Sequence, residues 1–424
     1  MKKTFALLLV LSLCLGIFAG CAQNTAPTAT ELQPTQNVET AETAAEESVT
    51  VTIWHDGSEA IMQTIADQVN AALATDGIAV QFEKKTDMPS QLKLYGSDAA
   101  NGPDMYFYAH DVLGTFAAMD ILAPLSDIVN TDTLLADALP MTVKAGQLNG
   151  TQYLLPVYFE TLVFLYNKAL WEGDIPNTTE ELYDYMVAHT DVNAGTYAVV
   201  NQHTNAYNVS PFIYGFGGYV LSEDGKPGFT DSKTMEAVEY NKKFGLLQAD
   251  GDYNTVTTLF NEGKAAAIIG GPWLTSGIEA AGIDYGVASL SNMKLPNGNG
   301  LAPFSGVQGA GVLKIALETK KDAIAKVLTA MASPEVGIAL ANAAGCAPAN
   351  SKAYDDETVA ANPMIAAIQE TASTAQPMPN IPEMNVMWGP AESLLVNVNK
   401  NGKDVTKAAE EAQAAAEQAI ADMQ

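Results

Sequence analysis

Aromatic and acidic side chains recur in this chain at the points where short apolar runs end. Trp273 follows the run AAAIIGGP, and Glu160 interrupts the run YLLPVYFETLVFLYN. An aromatic ring stacks on apolar surfaces, and a carboxylate accepts hydrogen bonds from hydroxyl groups. These side chains therefore predict a site for a ring-shaped ligand that carries hydroxyl groups. The further residues of these two kinds in such places are Tyr106, Phe107, Tyr108, Asp111, Tyr207 and Trp388.

For any single aromatic residue, packing into the core is the alternative interpretation. Trp273 poses this choice clearly, because it comes directly after Gly-Gly-Pro, a triplet that interrupts strands and helices and forms a stiff turn. A large apolar side chain on a turn is exposed unless the core or a ligand covers it.

The basic residues narrow the class of ligand. All 21 are lysines, and the chain contains no arginine. Arginine is the usual bidentate partner of carboxylates and phosphates, so its absence argues against an amino acid, peptide or nucleotide and favours a neutral carbohydrate. A lineage bias against arginine would produce the same composition. The formal net charge of −28 opposes binding to nucleic acid, so no nucleic acid partner is expected.

Catalysis is a second class of function that the residues allow. Asp111 and Glu160 could serve as the two carboxyl groups of a glycoside hydrolase. The four histidines show no spacing typical of a metal site; they are His55, His110, His189 and His203. The sequence predicts no metal and no cofactor.

The N-terminus is typical of a secretory signal, with Lys2 and Lys3 before an apolar run from Phe5 to Ala19. The run ends in IFAGC, which resembles the bacterial lipoprotein cleavage box. This resemblance implies a signal peptide over residues 1–20 and a lipid on Cys21; an ordinary secreted protein with a chance cysteine is the alternative. Loss of the leader would take the formal net charge from −28 to −30.

Residues 21–48 are rich in Thr, Ala, Gln and Glu and have no aromatic residue. Such a segment cannot bury enough apolar surface to fold, so it predicts a flexible tether between the membrane and a folded body. With Cys14 removed and Cys21 lipidated, Cys346 would remain alone, which leaves no intramolecular disulfide and predicts a small packing residue.

The folded body shows strands that alternate with helices. VTVTIW (49–54) alternates β-branched residues and predicts a strand, and SEAIMQTIADQVNAAL has the apolar spacing of a helix. Further predicted strands are IAVQFEKK, PDMYFYA, YLLPVYF, TLVFLYN and AAAIIGG. This alternation predicts parallel α/β sheets with the ligand at the carboxyl ends of strands. The length of 424 residues predicts two domains or lobes.

From about Val49 to the C-terminus, the chain resembles the maltose- and maltodextrin-binding proteins, the extracellular solute receptors of ABC importers. The motifs that support the resemblance occur in one order: GPDMYFYAHDVLG, PVYFETLVFLYNKAL, FNEGKAAAIIGGPWLTSGI, IDYGV and MPNIPEMNVMW. The resemblance implies the two-lobe, type II periplasmic-binding-protein fold, in which each lobe is a sheet flanked by helices and the ligand cleft lies at the hinge. The first lobe would comprise residues 49–158 and 307–332, and the second 163–303 and 333–424.

The resemblance also implies the ligand-binding residues. Trp273, Trp388 and Tyr207 match aromatic residues that stack on sugar rings, and Tyr108 stands where well-known members have Trp. Asp111 and Glu160 match acids that bond to sugar hydroxyls. The cleft set also includes Asp56, Glu59 and Gln91.

Four positions depart from the pattern of the family. Val112 stands at an Arg position, Glu59 near a sugar-contacting Lys, Asn205 at a Glu position and Gly389 at a Tyr position. These departures leave the exact sugar open, and another oligosaccharide, such as a xylo- or galacto-oligosaccharide, is the alternative ligand.

The function that the resemblance implies is a receptor and not an enzyme. It would be a monomer, held by Cys21 at the extracellular face of a bacterial membrane of the Gram-positive type. It would bind maltose or maltodextrin and deliver the sugar to the permease subunits of an ABC importer.

Overall fold

The computed structural model describes residues 48–247 and 251–423. The predicted signal peptide, Cys21 and all of the predicted tether except Ser48 lie outside the described residues.

Thirteen strands are formed within this part of the chain: β1 Val49–His55, β2 Ile78–Lys84, β3 Met105–Ala109, β4 Gln147–Leu148, β5 Thr151–Gln152, β6 Leu154–Thr161, β7 Val163–Asn167, β8 Tyr197–Val200, β9 Ala265–Gly270, β10 Tyr285–Ala288, β11 Phe304–Val312, β12 Ala347–Pro348 and β13 Gln376–Pro377.

Sixteen α-helices alternate with these strands over the same described ranges: α1 Glu59–Ala72, α2 Met88–Tyr95, α3 Leu113–Ala118, α4 Thr131–Leu134, α5 Pro140–Ala145, α6 Thr179–His189, α7 Ala206–Phe216, α8 Ser232–Gly245, α9 Tyr253–Asn261, α10 Thr275–Ala280, α11 Leu317–Met331, α12 Pro334–Ala344, α13 Glu357–Ala360, α14 Pro363–Ala372, α15 Trp388–Asn399 and α16 Val405–Ala421.

Two principal sheets organise the strands. The first has the order β12-β6-β11-β3-β1-β2, with β13 paired to β11, and the second has the order β10-β7-β9-β8. The pairs β1–β2, β1–β3 and β8–β9 are parallel, as the alternation of strands and helices predicts. The predicted parallel pairing does not extend through either sheet, because β11 runs antiparallel to β3 and β6, and β7 runs antiparallel to β9 and β10.

Helices cover both faces of each sheet. On one face of the first sheet, α1, α11 and α12 form a buried cluster with β1 and β11, and on the other face α2 and α3 pack against Trp54 and Tyr106. On one face of the second sheet, α7, α8, α15 and α16 form the largest apolar cluster. A further cluster, from Phe159 and Val163 to α14, includes residues of both sheets. The predicted α/β class, with sheets flanked by helices, is confirmed.

The strand pairing does not follow the lobe limit predicted at residue 333. Strands β12 and β13 lie in segment 333–424, yet they pair with β6 and β11 of the first sheet. Helix α12 packs in the cluster of α1 and α11, where Cys346 is also buried as a free thiol. The division into lobes stays a prediction. The pairing of β12 and β13 with the first sheet places these residues, which follow 333, with the predicted first lobe.

Within the described residues, no single helix is long and apolar enough to cross a bilayer. One pair of helices bent by 58°, Lys314–Met331 with Pro334–Ala344, reaches that length and composition together.

Candidate functional site

A cavity of about 410 Å³ lies where residues that follow strands of the two sheets meet. It falls in the size range of sites for small molecules. Its lining residues are Asp56, Tyr108, Ala109, Asp111, Glu160, Asn205, Tyr207, Trp273, Gln308, Met378, Trp388 and Glu392. The structure thus brings together seven of the predicted ligand residues: Asp56, Tyr108, Asp111, Glu160, Tyr207, Trp273 and Trp388.

The first sheet presents its acids at the carboxyl ends of parallel strands. Asp56 follows β1, and Asp111 lies in the short 3₁₀ helix His110–Val112 that follows β3. Because β1 and β3 run in parallel, their carboxyl ends share one edge of the sheet. Tyr108, at the end of β3, lies on the same edge.

Trp273 is held by the turn that follows β9. A Cβ atom on Gly271 would lie 2.2 Å from Cζ3 of the Trp273 ring, so only glycine allows the ring to fold against the backbone here. The ring is partly buried and meets Tyr207 edge-on, with centroids 6.1 Å apart. It packs against two apolar clusters, one on each face of the second sheet. Trp273 therefore packs against the core and also lines the cavity.

The ring of Phe304 packs against two further aromatic rings of the cavity, Tyr207 and Trp388. This residue begins β11 and is fully buried, and its ring stacks with Tyr207 at 6.3 Å and meets Trp388 edge-on at 5.9 Å. Tyr207 and Trp388 themselves are partly buried. The indole N–H of Trp388 donates a hydrogen bond to Oδ2 of Asp111 over 3.3 Å.

Burial dominates the electrostatics of the cavity. Asp111 is 6% exposed and Glu160 is 8% exposed, and burial raises the pKa of each to about 7. Burial also raises the pKa of Asp56 to about 6, against the opposing effects of the Met88 backbone N–H and the Lys84 charge. A buried carboxyl group resists ionisation because a low-dielectric surrounding penalises the charged form.

Uncharged hydrogen-bond donors orient three of the four carboxyl groups that line the cavity. Besides the bond from Trp388 to Asp111, Nε2 of Gln308 donates to Oε1 of Glu160 over 2.8 Å. Nδ2 of Asn205 donates to Oε1 of Glu392 over 2.9 Å.

His110 ties the turn that carries Asp111 to two other segments of the site. The Val307 N–H donates to Nδ1 of His110 over 3.0 Å, and Nε2 of His110 donates to the Met378 carbonyl over 2.8 Å. Because Nδ1 accepts and Nε2 donates, the ring is neutral, and burial lowers its pKa to about 4. The histidine thus joins β11 and the loop at Met378 to Asp111.

Two predicted site residues lie outside this cavity. Glu59 is exposed and lines an adjacent cavity of about 520 Å³, which shares Asp56 and Trp273 with the first and also contains Lys84. The amide of Gln91 donates to the Thr86 carbonyl, and Gln91 lines neither cavity.

The positions that depart from the family pattern occupy different surroundings. Val112 is buried in the apolar cluster with α2 and α3, so it is a packing residue. Gly389 is exposed, and a Cβ added there would meet no atom within 4 Å. Asn205 caps α7 by accepting from the Asn208 N–H, and it lines the cavity.

Sequence reasoning missed Gln308, Met378 and Glu392 in the lining. Glu392 had a detectable signal, since it lies four residues after Trp388 on one helix, and residues with this spacing share a helix face. Gln308 and Met378 had none, because strand pairing and loop packing bring them to the cavity. Among the described residues, no group of three or more His, Cys, Asp or Glu could hold a metal ion.

Comparisons with known proteins agree on one family. The model of the bacterial extracellular solute-binding protein family matches residues 64–367. The maltotriose-binding protein of Pyrococcus abyssi is 31% identical over 83% of this chain and 78% of its own length. The galactooligosaccharide-binding protein of Bacillus subtilis is 29% identical over 85% and 87%. A maltooligosaccharide ABC transporter solute-binding lipoprotein of Streptococcus pneumoniae is 30% identical over 79% and 83%.

Proposed function

Because this chain belongs to the bacterial extracellular solute-binding proteins, we propose that it binds oligosaccharides of the maltose and maltodextrin class and delivers them to an ABC importer. The observation that supports this proposal is the cavity lined by Tyr108, Tyr207, Trp273 and Trp388 together with four carboxyl groups. The rings offer surfaces for the apolar faces of sugar rings, and the carboxyl oxygens accept hydrogen bonds from hydroxyl groups.

The proposal includes closure of two lobes around the sugar. The chain passes from the first sheet to the second between β6 and β7, with only Leu162 between the two strands, and it returns at β11. We propose that the short crossing at Leu162 and the start of β11 form the hinge. Closure shifts an existing equilibrium only by the difference in sugar affinity between the open and closed states. The closed form would dock on the permease subunits.

The proposal also includes a lipid anchor. Cys21 would carry the lipid, and residues 22–48 would act as the tether that lets a monomeric receptor work at the outer face of the membrane. The related protein of Streptococcus pneumoniae is itself a lipoprotein, which supports this placement.

A second ligand class has a specific observation in its favour. The relative from Bacillus subtilis binds galactooligosaccharide and resembles this chain over a similar length. A galacto-oligosaccharide is therefore the alternative ligand for the same receptor role.

Hydrolysis is the alternative from a different class. Asp111 and Glu160 are two buried carboxyl groups in one cavity, and a pKa of about 7 suits a general acid. The relatives named above are binding proteins. We therefore propose that the chain is a receptor and not an enzyme.

One experiment distinguishes the maltodextrin receptor, the galacto-oligosaccharide receptor and the hydrolase. Calorimetry of the protein against α-linked gluco-oligosaccharides, galacto-oligosaccharides and β-linked xylo-oligosaccharides should show the highest affinity for the α-gluco series. Product analysis of the same mixtures should return the sugars intact. Tighter binding of a galacto-oligosaccharide would favour the second ligand class, and shortened products would establish the hydrolase.

A further inference from the structure

Uncharged hydrogen-bond donors hold three of the carboxyl groups of the cavity in place. Gln308, Asn205 and Trp388 each orient one oxygen of Glu160, Glu392 and Asp111 respectively, and none of these three donors carries a charge.

Among the described residues, Asp111 is the carboxyl group of the cavity that most clearly lacks a hydrogen-bond partner at one of its oxygens. Its side chain is more than nine-tenths buried and lines the cavity, and within the described part of the chain its Oδ1 atom is buried without a hydrogen-bond partner. An unpaired acceptor of this kind costs free energy until a donor reaches it.

Within the described ranges no cation forms an ion pair with these carboxyl groups, although the charge of Lys84 acts on Asp56. The cavity lining contains no lysine, and over the described residues none of the ion pairs involves Asp56, Asp111, Glu160 or Glu392. Lys84 lies in the adjacent cavity, beside Glu59 and Asp56. The absence of arginine from the chain removes the other source of positive charge.

Two of the carboxyl groups, Asp56 and Asp111, are close enough for one to affect the other. Burial and, to a smaller extent, the charge of Asp56 raise the pKa of Asp111. Burial and then the charges of Glu160 and Asp111 raise the pKa of the Tyr207 hydroxyl in the same cavity. Each of the aromatic rings that line the same cavity presents a negative face, which attracts cations.

A neutral sugar would supply hydrogen-bond donors to these oxygens but no positive charge. A protonated amine would supply both, and it could also lie over an aromatic face.

We propose that the preferred ligand is an oligosaccharide that carries a protonated amino group, held among Asp111, Glu160 and Glu392. This inference rests on the proposed role as an oligosaccharide receptor, because the aromatic rings still bind the sugar rings. It replaces one neutral hydroxyl group of the ligand with an ammonium group.

Calorimetry with matched trisaccharides of three kinds tests the inference on the full-length protein. The first kind is maltotriose itself. The second is a set of maltotriose derivatives that each carry a single 2-amino-2-deoxyglucosyl unit, at the first, second or third position, and the third is the N-acetylated form of each of these amines. The pH is held near 7, where carboxyl groups with a pKa of about 7 are about half ionised and the amine of the ligand stays largely protonated. At least one amine should bind about tenfold more tightly than maltotriose, a difference of about 1.4 kcal/mol, and its N-acetylated form should lose this advantage.

Charge-removing variants identify the groups responsible. Asp111→Asn, Glu160→Gln and Glu392→Gln should each reduce the ratio of amine affinity to maltotriose affinity, whereas Glu318→Gln, on the exposed surface of α11, should leave it unchanged. Thermal melting checks that each variant folds. Because Glu392 is only partly buried, Glu392→Gln should disturb the fold least.

Two results would overturn the inference in distinguishable ways. Binding of maltotriose as tightly as every amine by the wild-type protein would refute the amine preference and leave the receptor role intact. Failure of the folded wild-type protein to bind any member of the series would refute the receptor role for this sugar class as well.

Discussion

Replacement of Trp273 by alanine tests whether a ligand covers this ring. The wild-type ring is partly buried, lies against Gly271, meets Tyr207 edge-on and packs on two apolar clusters. The substitution therefore removes both a wall of the cavity and part of the packing beneath it.

The expected losses of binding free energy and of stability follow from the partial burial of the Trp273 ring. Loss of an aromatic anchor commonly costs about 2 kcal/mol or more of binding free energy, so the affinity for an oligosaccharide should fall at least about tenfold. Truncation of a fully buried aromatic residue costs about 3–5 kcal/mol of stability. Because the Trp273 ring is only partly buried, we expect a smaller loss, about 1–3 kcal/mol.

Trp171 provides the matched control. It is 8% exposed, stacks on Tyr185 with centroids 4.1 Å apart, and lies outside the cavity lining. Trp171→Ala should lower the free energy of unfolding by the larger amount, about 3–5 kcal/mol, and leave the affinity of the folded fraction unchanged.

The assay combines calorimetry with thermal or urea unfolding on both variants. Retained sugar affinity in the folded fraction of Trp273→Ala, together with a stability loss as large as that of Trp171→Ala, would refute the reasoning. Trp273 would then be a core residue that the protein itself covers.

Four further predictions concern the turn, the acids, the hinge and the anchor. Gly271→Ala should displace the Trp273 ring, since the new Cβ would lie 2.2 Å from Cζ3; calorimetry should show weaker sugar binding, and unfolding a loss of about 1–3 kcal/mol. Burial raises the pKa of Glu160 from 4.5 to about 7, so its contribution to stability is lost as pH rises through that interval. Urea unfolding should therefore show Glu160→Gln gaining on the wild type by up to about 3 kcal/mol between about pH 4 and pH 8, and a difference independent of pH would contradict this. Saturating sugar should reduce the radius of gyration in solution scattering, and an unchanged radius with proven binding would argue against hinge closure. Cys21→Ala should release the protein into the medium or leave an unprocessed precursor, and unchanged membrane fractionation would contradict the lipid anchor.

The sequence determined the local elements and much of the candidate site. Alternation of β-branched residues predicts the strand 49–54, which the structure extends to His55, and the apolar spacing after Ser58 predicts helix α1. The position of Tyr108 and Asp111 at the end of a strand was also readable, since parallel strands present their carboxyl ends at one edge. Short-range periodicity is sufficient for these features because the interactions that form them span only a few residues.

Only the tertiary structure decided how these elements combine. The antiparallel partners of β11, the entry of β12 and β13 into the first sheet and the bridge through His110 depend on contacts between distant parts of the chain. The bonds that orient the acids join residues 148 positions apart in Gln308–Glu160 and 187 apart in Asn205–Glu392. The raised pKa values of Asp111 and Glu160 likewise arise from burial by many segments at once. Local sequence patterns do not encode such contacts, because burial and pairing at this distance are set by the packing of the whole body.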